Sequence, residues 1–340
     1  MNMTNSSYTI YDLARDCNVS VATISRVING SSSVSAKTRE KVQTAIKEHN
    51  FTPNAFARGM NRMSTSIIAV FISDVTNPFF ADIVKGIEDT CRRYGYRIIL
   101  CITNNDMEQE KHELELMLQK QVDGFIICGS RPVNDTNAGY LQKISEKNQV
   151  IMVNSSLNGG EKLYSVLVDE KEAAKSALDT LLAKKQYKSL YVFGDSVWKT
   201  TAEKTQAAKE AALEKGIPFD ESCIIQCQHT LESGREAAKS FLKQNPEFPS
   251  LVFCVSDQIA IGALKEFCEQ KIEIPDQLGI LGFSNISISS LVTPALTTVN
   301  QFMNDLGEQA ANLFISSENG IVLKEKVFHS DYELVERQTT

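Results

Sequence analysis

Polar side chains that can hydrogen-bond to nucleic acid are concentrated in one short stretch, SVATISR, at positions 20 to 26. Hydroxyl groups and one guanidinium alternate there with small apolar groups. On a helix that enters the major groove, such groups can reach base edges and phosphates. A small surface helix in an ordinary enzyme would have a similar composition, so that alternative stays open on this stretch alone.

Residue types that carry out enzymatic catalysis form no comparable cluster. No G-x-G-x-x-G follows a predicted strand, and there is no G-x4-G-K-[ST] phosphate loop. The four histidines are far apart in sequence, and the eight cysteines are scattered without a C-x2-C pair. We therefore expect no enzyme activity, no metal site and no cofactor, with buried free thiols in a reducing compartment.

Two short helices joined by a tight turn would position the polar stretch. Thr9 can cap the first helix, and its apolar residues recur at helical spacing at Ile10, Leu13, Ala14 and Cys17. The sequence Asn-Val-Ser at 18–20 breaks this period, and a second helix begins from Ser20 with Ile24 and Val27 facing inward. A third helix is expected to open at Ser35.

The charge distribution supports a nucleic-acid partner for this end of the chain. The whole sequence carries a formal charge of −7. Up to Ser64 there are eight basic and four acidic residues, about +4, which leaves 27 basic and 38 acidic residues, about −11, for the remainder. A small basic head on an acidic body is typical of a DNA contact confined to one end.

From position 66 onward, apolar strand patterns alternate with helical patterns, which predicts parallel sheets with helices on both faces. The expected strands are 66–72, 97–101, 124–128, 150–153, 165–168, 190–193, 224–225, 251–254 and 279–283. The expected helices are 79–94, 108–120, 138–148, 171–184, 201–215, 234–244 and 258–270. Ligands of open parallel sheets bind beyond the carboxyl ends of the strands, so a cleft there is the expected effector site.

The helix-turn-helix stretch resembles the LacI/GalR family of bacterial transcriptional regulators. Further segments of the chain also match that family: VSAKTREKV at 34–42, FTPNA at 51–55, NPFF at 77–80, VDG at 122–124 and PALTTV at 294–299. The resemblance implies a small all-α helix-turn-helix head and an α/β bilobed body like that of periplasmic binding proteins, with two parallel doubly wound sheets.

The resemblance also implies domain limits. It places a DNA-binding domain at 1–53, a hinge helix or linker at 54–64 and an effector-binding and dimerisation domain at 65–340. The chain would cross between lobes near 164, 293 and 325. One lobe would contain about 65–163 and 294–325, and the other about 164–293 and 326–340.

DNA-contacting residues are implied in the same way. Val21 and Ala22 stand at the family's specificity positions, and Arg26 can read guanine bidentately. Met60 stands where the family commonly has a leucine wedge between central base pairs, although a plain flexible linker is the alternative for this segment. The full expected set is Thr9, Ser20, Val21, Ala22, Thr23, Ser25, Arg26, Asn29, Ser35, Asn54, Ala57 and Met60.

The implied effector-binding residues are Asn77, Phe79, Phe80, Arg131, Lys204, Ser256, Asp257, Ser284 and Gln301. Lys204 replaces an arginine of the family, Ser256 an asparagine, and Ser284 an acid. Losing an acid while keeping two cations would make the cleft positive and favour a sugar acid or phosphorylated sugar. Alternatively, Arg131 and Lys204 pair with protein acids or face solvent.

Together these features predict a cytoplasmic, effector-controlled repressor of carbohydrate or sugar-acid catabolism genes that binds double-stranded, pseudo-palindromic operator DNA as a homodimer. The start of the sequence lacks the pattern of a signal peptide, and no apolar run is long enough to span a bilayer, so no membrane association is expected. One alternative is a regulator of the same family controlled mainly by a phosphocarrier protein. Another is a sugar-binding transport component.

Overall fold

The computed structural model describes residues 8–28, 33–49, 64–318, 321 and 325–340, without the side chain of Ser25. The chain divides into two compact units, Met1–Thr65 and Ser66–Thr340. We refer to them as the head and the body.

The described part of the head is helical, with α1 at Ile10–Asp16, α2 at Val21–Ile28 and α3 at Ala36–Glu48. The turn between α1 and α2 uses Asn18 at φ 49°, a left-handed conformation that asparagine tolerates. The expected inner residues form the core: Leu13, Ala14, Cys17, Ile24, Val27 and Val42 are buried, and Val19, Ala45 and Ile46 pack against them. This core packs the three helices against one another.

Twelve strands and the helices between them build the described body. The strands are β1 Ile67–Ile72, β2 Arg97–Ile102, β3 Gly124–Cys128, β4 Gln149–Val153, β5 Leu163–Val168, β6 Ser189–Gly194, β7 Ile224–Gln226, β8 Ser250–Cys254, β9 Leu278–Ser284, β10 Thr297–Asn300, β11 Val327–Ser330 and β12 Glu333–Val335. The helices are α4 Pro78–Arg93, α5 Met107–Gln119, α6 Ala138–Ile144, α7 Glu170–Lys184, α8 Lys199–Glu214, α9 Leu231–Lys243, α10 Asp257–Glu269 and α11 Met303–Glu318. The elements that were predicted lie within a few residues of their expected ranges, whereas β10, β11, β12 and α11 were not predicted.

The strands form two six-stranded sheets, and each sheet is the centre of one lobe. The first lobe contains the order β11-β5-β4-β3-β1-β2, and the second the order β12-β10-β9-β8-β6-β7. All neighbouring strands are parallel except β12, which runs antiparallel to β10 at the edge of the second sheet. The inner strands are mostly buried, as their near-continuous apolar runs predict, whereas the edge strands β2, β7, β11 and β12 are partly exposed.

The crossings between lobes occur later in the chain than 164, 293 and 325. β5 pairs with β4, so the first crossing follows Val168, and β10 pairs with β9, so the second follows Asn300. β11 pairs with β5 and β12 with β10, so the third lies between Ser330 and Glu333. The expected lobe limits are wrong at these points because an apolar strand pattern does not specify which sheet the strand joins.

Candidate functional site

The second helix of the head presents the expected polar face. Ala22 and Arg26 are exposed, and Thr23 is half-buried. The Ser20 hydroxyl accepts a hydrogen bond from the Thr23 backbone N–H at 3.2 Å, so it caps α2 as expected. Val21 is half-buried and packs against the head core, so less of its side chain is available for DNA contact than its expected outward position implied. The exposed guanidinium of Arg26 is therefore the main long polar group of this face among the described side chains.

Two other expected DNA-contacting residues cap helices. Thr9 and Asp12 form a capping box, in which the Thr9 hydroxyl accepts from the Asp12 N–H and the Asp12 carboxylate accepts from the Thr9 N–H at 3.0 Å. Hydrogen bonds from Thr9 hold the pKa of the Asp12 carboxyl below its usual value. The Ser35 hydroxyl accepts from the Thr38 N–H at 3.3 Å and caps α3. Both hydroxyls fix the helix starts.

Several expected DNA-contacting residues lie outside the described residues. They are Asn29, Asn54, Ala57 and Met60, together with the side chain of Ser25 and nearly all of the expected hinge helix at 54–64. Their roles stay predictions.

A cavity of about 420 Å³ lies between the two lobes of the body. Its size is within the range of small-molecule sites. The loops after β1, β3, β6, β8 and β9 contribute to it, in agreement with the rule that ligands bind beyond the carboxyl ends of parallel strands. Every expected effector-binding residue lines it, namely Asn77, Phe79, Phe80, Arg131, Lys204, Ser256, Asp257, Ser284 and Gln301.

The first lobe contributes an aromatic wall. Asn77 caps α4 by accepting a hydrogen bond from the Phe79 N–H at 3.1 Å. This cap fixes the start of the helix that carries Phe79 and Phe80, whose rings meet edge to face with centroids 5.1 Å apart. Apolar ring faces beside amide groups suit a ligand that has both C–H faces and hydroxyls.

Glu170 is the centre of the buried polar network in this cavity. Its carboxylate accepts from Lys204 Nζ at 2.6 Å, from Asn154 Nδ2 at 2.6 Å and from Gln301 Nε2 at 2.7 Å. Ser284 completes the network by donating to Gln301 Oε1 at 3.1 Å. Burial raises the pKa of the Glu170 carboxyl, but the Lys204 charge and these hydrogen bonds outweigh it and lower the pKa overall. Glu170 therefore stays ionised.

Arg131 forms the second buried charge cluster. It binds Glu110 at 2.6 and 2.8 Å and Asp135 at 2.7 and 2.8 Å, each through two nitrogens. Burial alone would lower the pKa of Arg131, but these hydrogen bonds outweigh it and raise the pKa. One guanidinium between two carboxylates leaves the cluster with a formal charge of −1.

Both expected effector-binding cations are thus neutralised by protein acids. The expectation of a positive cleft, and with it the reason for expecting an anionic effector, is wrong, and the alternative of pairing with protein acids holds for both cations. Lys204 pairs with Glu170 and Arg131 with Glu110 and Asp135, and the cavity lining holds more acids than bases. Both Glu110 and Glu170 lie far in sequence from the cations that they bind, so the sequence alone did not reveal the pairing.

Asp257 points into the second lobe rather than across the cavity. Its carboxylate accepts from the Thr298 hydroxyl at 2.5 Å and from the Ile286 N–H at 2.8 Å. Burial raises the pKa of this carboxyl to about 6. Asp257 therefore positions the loop after β9, and the neighbouring Ser256 caps α10.

His229, one of the four histidines that lie far apart in the sequence, also lines the cavity. Its Nε2 lies 3.4 Å from the Thr201 hydroxyl. Burial, reinforced by the Lys204 charge, lowers the pKa of His229 to about 4. The imidazole is therefore neutral at pH 7. Trp198, also missed, lines the cavity from the second lobe.

Backbone hydrogen bonds join the two lobes at the rim of the cavity. Val133 N–H donates to the Val197 carbonyl at 2.8 Å, and Lys199 N–H donates to the Arg131 carbonyl at 3.0 Å. These bonds form a short antiparallel bridge centred on Pro132 and Trp198. The Thr200 N–H adds a bond to the Ser130 hydroxyl at 3.2 Å. We call residues 130–133 and 197–200 the rim bridge.

Within the described residues, no group of three or more His, Cys, Asp or Glu side chains is arranged to hold a metal ion. No helix in the same part of the chain is long and apolar enough to cross a membrane.

Family models match almost the whole chain. Residues 9–54 match the model described as bacterial regulatory proteins, lacI family, and residues 64–325 match the periplasmic binding proteins and sugar binding domain of LacI family. Catabolite control protein A of Priestia megaterium is 32% identical over 333 residues, which cover 98% of this chain and 99% of that protein.

Two solved structures share the fold. One is a crystal structure of the lac repressor dimer bound to operator and the anti-inducer ONPF, with a TM-score of 0.85 and 22% identity over 97% of this chain and 98% of that one. The other is a complex of the transcriptional regulator CelR with cellobiose, with a TM-score of 0.71 and 23% identity over 98% of this chain and 99% of that one.

Proposed function

The chain belongs to the lacI family of DNA-binding bacterial transcriptional regulators, and from this premise we propose that it is a cytoplasmic repressor of carbohydrate catabolism genes. It binds a pseudo-palindromic operator as a homodimer, because a two-fold dimer presents two reading helices to two half-sites. A sugar in the cleft changes its operator affinity, and by linkage the operator changes its sugar affinity to the same extent.

The observation that supports operator binding most directly is the exposed face of α2. Its buried side anchors the helix to the head core through Ile24 and Val27, and its outer side presents Ala22 and Arg26. A helix held in this way can place its outer side chains in the major groove without losing its own packing.

The effector is a neutral sugar in this proposal. The charged side chains deepest in the cleft are already paired, while amide, hydroxyl and aromatic groups remain along its walls. A neutral polyol can bind such groups without separating an ion pair. The carbonyl oxygen of the Asn154 amide, which is buried without a protein partner among the described residues, is a further acceptor beside the cleft.

Operator binding can be tested by selecting binding sites from a random double-stranded library and measuring affinity by fluorescence anisotropy. For Arg26→Ala we expect specific affinity to fall by about tenfold or more, since a bidentate base contact contributes about 1–3 kcal/mol. Lys47→Ala, at the exposed end of α3, is the matched control, and its effect on specificity should be small.

An unchanged specific affinity of the Arg26→Ala protein would contradict the assignment of α2 as the reading helix. If the wild-type protein selects no sequence, a sugar-binding transport component becomes the better interpretation. If selection appears only after a phosphocarrier protein is added, control by that partner replaces control by the sugar.

The effector can be sought by thermal denaturation of the whole protein in the presence of neutral sugars and sugar acids. A ligand that binds only the folded state adds about 2.7 kcal/mol at 100 times its Kd. We expect a raised midpoint with one or more neutral sugars and none with uronates. The opposite selectivity would contradict a neutral effector.

A further inference from the structure

We propose that Glu170 is a built-in counter-ion that makes the cleft reject anionic ligands, so that this single side chain sets the charge class of the effector. The inference rests on the proposed role of the cleft as the effector site. Glu170 is not among the effector-binding residues expected from the sequence.

The position of Glu170 allows it to occupy an anion site from within the protein. It is the first residue of α7, immediately after the chain crosses from the first lobe to the second. Its side chain is 3% exposed and meets Lys204 of α8 at 2.6 Å. Its other carboxylate oxygen accepts hydrogen bonds from Asn154, which follows β4, and from Gln301, which follows β10. A ligand carboxylate at this place would meet the same three donors.

Lys204 depends on Glu170 for charge compensation. Its side chain is 5% exposed, and Glu170 is the only acid within 4.0 Å of its Nζ among the described residues. The ammonium also lies 4.4 Å from the centroid of the Phe283 ring. Aromatic contact favours the cation but supplies no negative charge. A buried ammonium without a counter-ion is strongly unfavourable, so Lys204 without Glu170 would bind an anion from solution.

In the wild-type protein an entering anion finds Lys204 already paired with Glu170. To bind Lys204 it must displace Glu170, which leaves a buried carboxylate beside another negative charge. The Arg131 cluster offers no substitute site, because two carboxylates already bind that guanidinium. A neutral ligand with hydroxyl groups neither displaces Glu170 nor adds a negative charge, because it can bind while the Glu170–Lys204 pair stays intact.

The test is isothermal titration of the full chain with D-glucuronate, inorganic phosphate and D-glucose, using wild type, Glu170→Gln and a control. The glutamine keeps the shape and hydrogen-bonding capacity of the side chain but removes its charge. We expect Glu170→Gln to bind D-glucuronate or phosphate at least about tenfold more tightly than wild type, because the anion replaces a missing buried counter-ion.

The matched control is Glu266→Gln. Glu266 is also a buried glutamate, with 3% of its side chain exposed, and it binds Arg235 at 2.7 Å outside the cavity. This variant loses an ion pair of similar geometry and should gain no anion binding. The double variant Glu170→Gln/Lys204→Met should also bind no anion, because the cation is absent.

Three results would overturn the inference: a folded Glu170→Gln protein that binds both anions no more tightly than wild type, anion binding retained by the double variant, or equal gains in Glu266→Gln. If Glu170→Gln fails to fold in chloride, its refolding yield is measured in phosphate and in chloride. Equal yields in the two salts would also contradict the role of Glu170 as a counter-ion. Operator binding by wild type is measured separately, so failure of the proposed regulatory function is distinguishable from failure of the charge assignment.

Discussion

Asp257 is the buried acid whose ionisation has the clearest consequence for stability. Its folded-state pKa of about 6 exceeds the ordinary value of 3.8 because of burial. Between these values the folded state binds more protons than the unfolded state, so the free energy of unfolding decreases as pH rises from about 4 to 6.

We therefore expect Asp257→Asn to remove this decrease, which is about 2 kcal/mol between pH 4 and 6. Urea unfolding at a series of pH values measures it. Asp276→Asn, an exposed acid on the same lobe, should keep the wild-type pH dependence. Parallel profiles for wild type and Asp257→Asn would show that folding does not raise the pKa of this carboxyl.

His229 contributes a dependence of opposite sign. Its pKa is lowered from 6.5 to about 4, so the unfolded state binds more protons between those values and stability is lost as pH falls. We expect His229→Gln to lose less stability than wild type on acidification from pH 6.5 to 4. Thermal midpoints across this range provide the measurement, with the exposed His112→Gln as control. An unchanged slope in His229→Gln would contradict a buried neutral imidazole.

Among single residues, the family resemblance named side chains that line the cavity but did not reveal the acids that pair with the two cations. Resemblance to a family identified Arg131 and Lys204 as lining residues, and both line the cavity. It could not show that Glu110 and Glu170 neutralise them, because α5 and α7 reach the cavity from distant parts of the chain. These two pairings depend on three-dimensional packing, whereas the third acid, Asp135, lies only four residues after Arg131 and was a local signal in the sequence.

At the scale of elements, two helices of the first lobe meet through glycine. A Cβ added at Gly307 of α11 would lie 2.1 Å from the Ile83 carbonyl oxygen of α4, and one at Gly86 of α4 would lie 2.0 Å from the Asn304 carbonyl oxygen. A side chain at either position would force the two helices apart, because the opposing atoms belong to the backbone and cannot rotate away.

We expect Gly307→Ala to destabilise the body by about 1–3 kcal/mol, as overpacking typically does. Gly139→Ala in α6 is the control, because its Cβ would have no atom within 4 Å. Alanine there should leave stability equal or higher, by up to about 1 kcal/mol. The measurement is the denaturant midpoint of each variant. Equal midpoints for Gly307→Ala and Gly139→Ala would contradict close packing of α4 against α11.

Element types were predictable from periodicity, whereas sheet membership was not. Strands such as β3 and β8 are buried along their whole length, and their apolar runs stand out in the sequence. β5 is an apolar run and β10 is a mostly polar segment that the periodicity did not predict as a strand, and the two join different sheets. Their assignment depends on hydrogen bonding to β4 and β9, which no local pattern encodes.

At the scale of the whole molecule, the predicted family and fold class are confirmed, including the α-helical head and the two α/β lobes of the body. The family resemblance was informative because its motifs are distributed from the head to the last strands. The roles of individual DNA-contacting and effector-binding residues stay predictions.

The rim bridge makes the separation of the lobes measurable amide by amide. We expect its two carbonyl-bound N–H groups, on Val133 and Lys199, to exchange with solvent deuterium when the lobes part. We expect a sugar that holds the cleft closed to slow exchange at both positions together, while the Tyr94 amide at the end of α4 is unaffected. Independent changes at the two positions would show that the rim opens residue by residue. Since main-chain atoms form these two bonds, this coupling can persist while the side chains around it diverge.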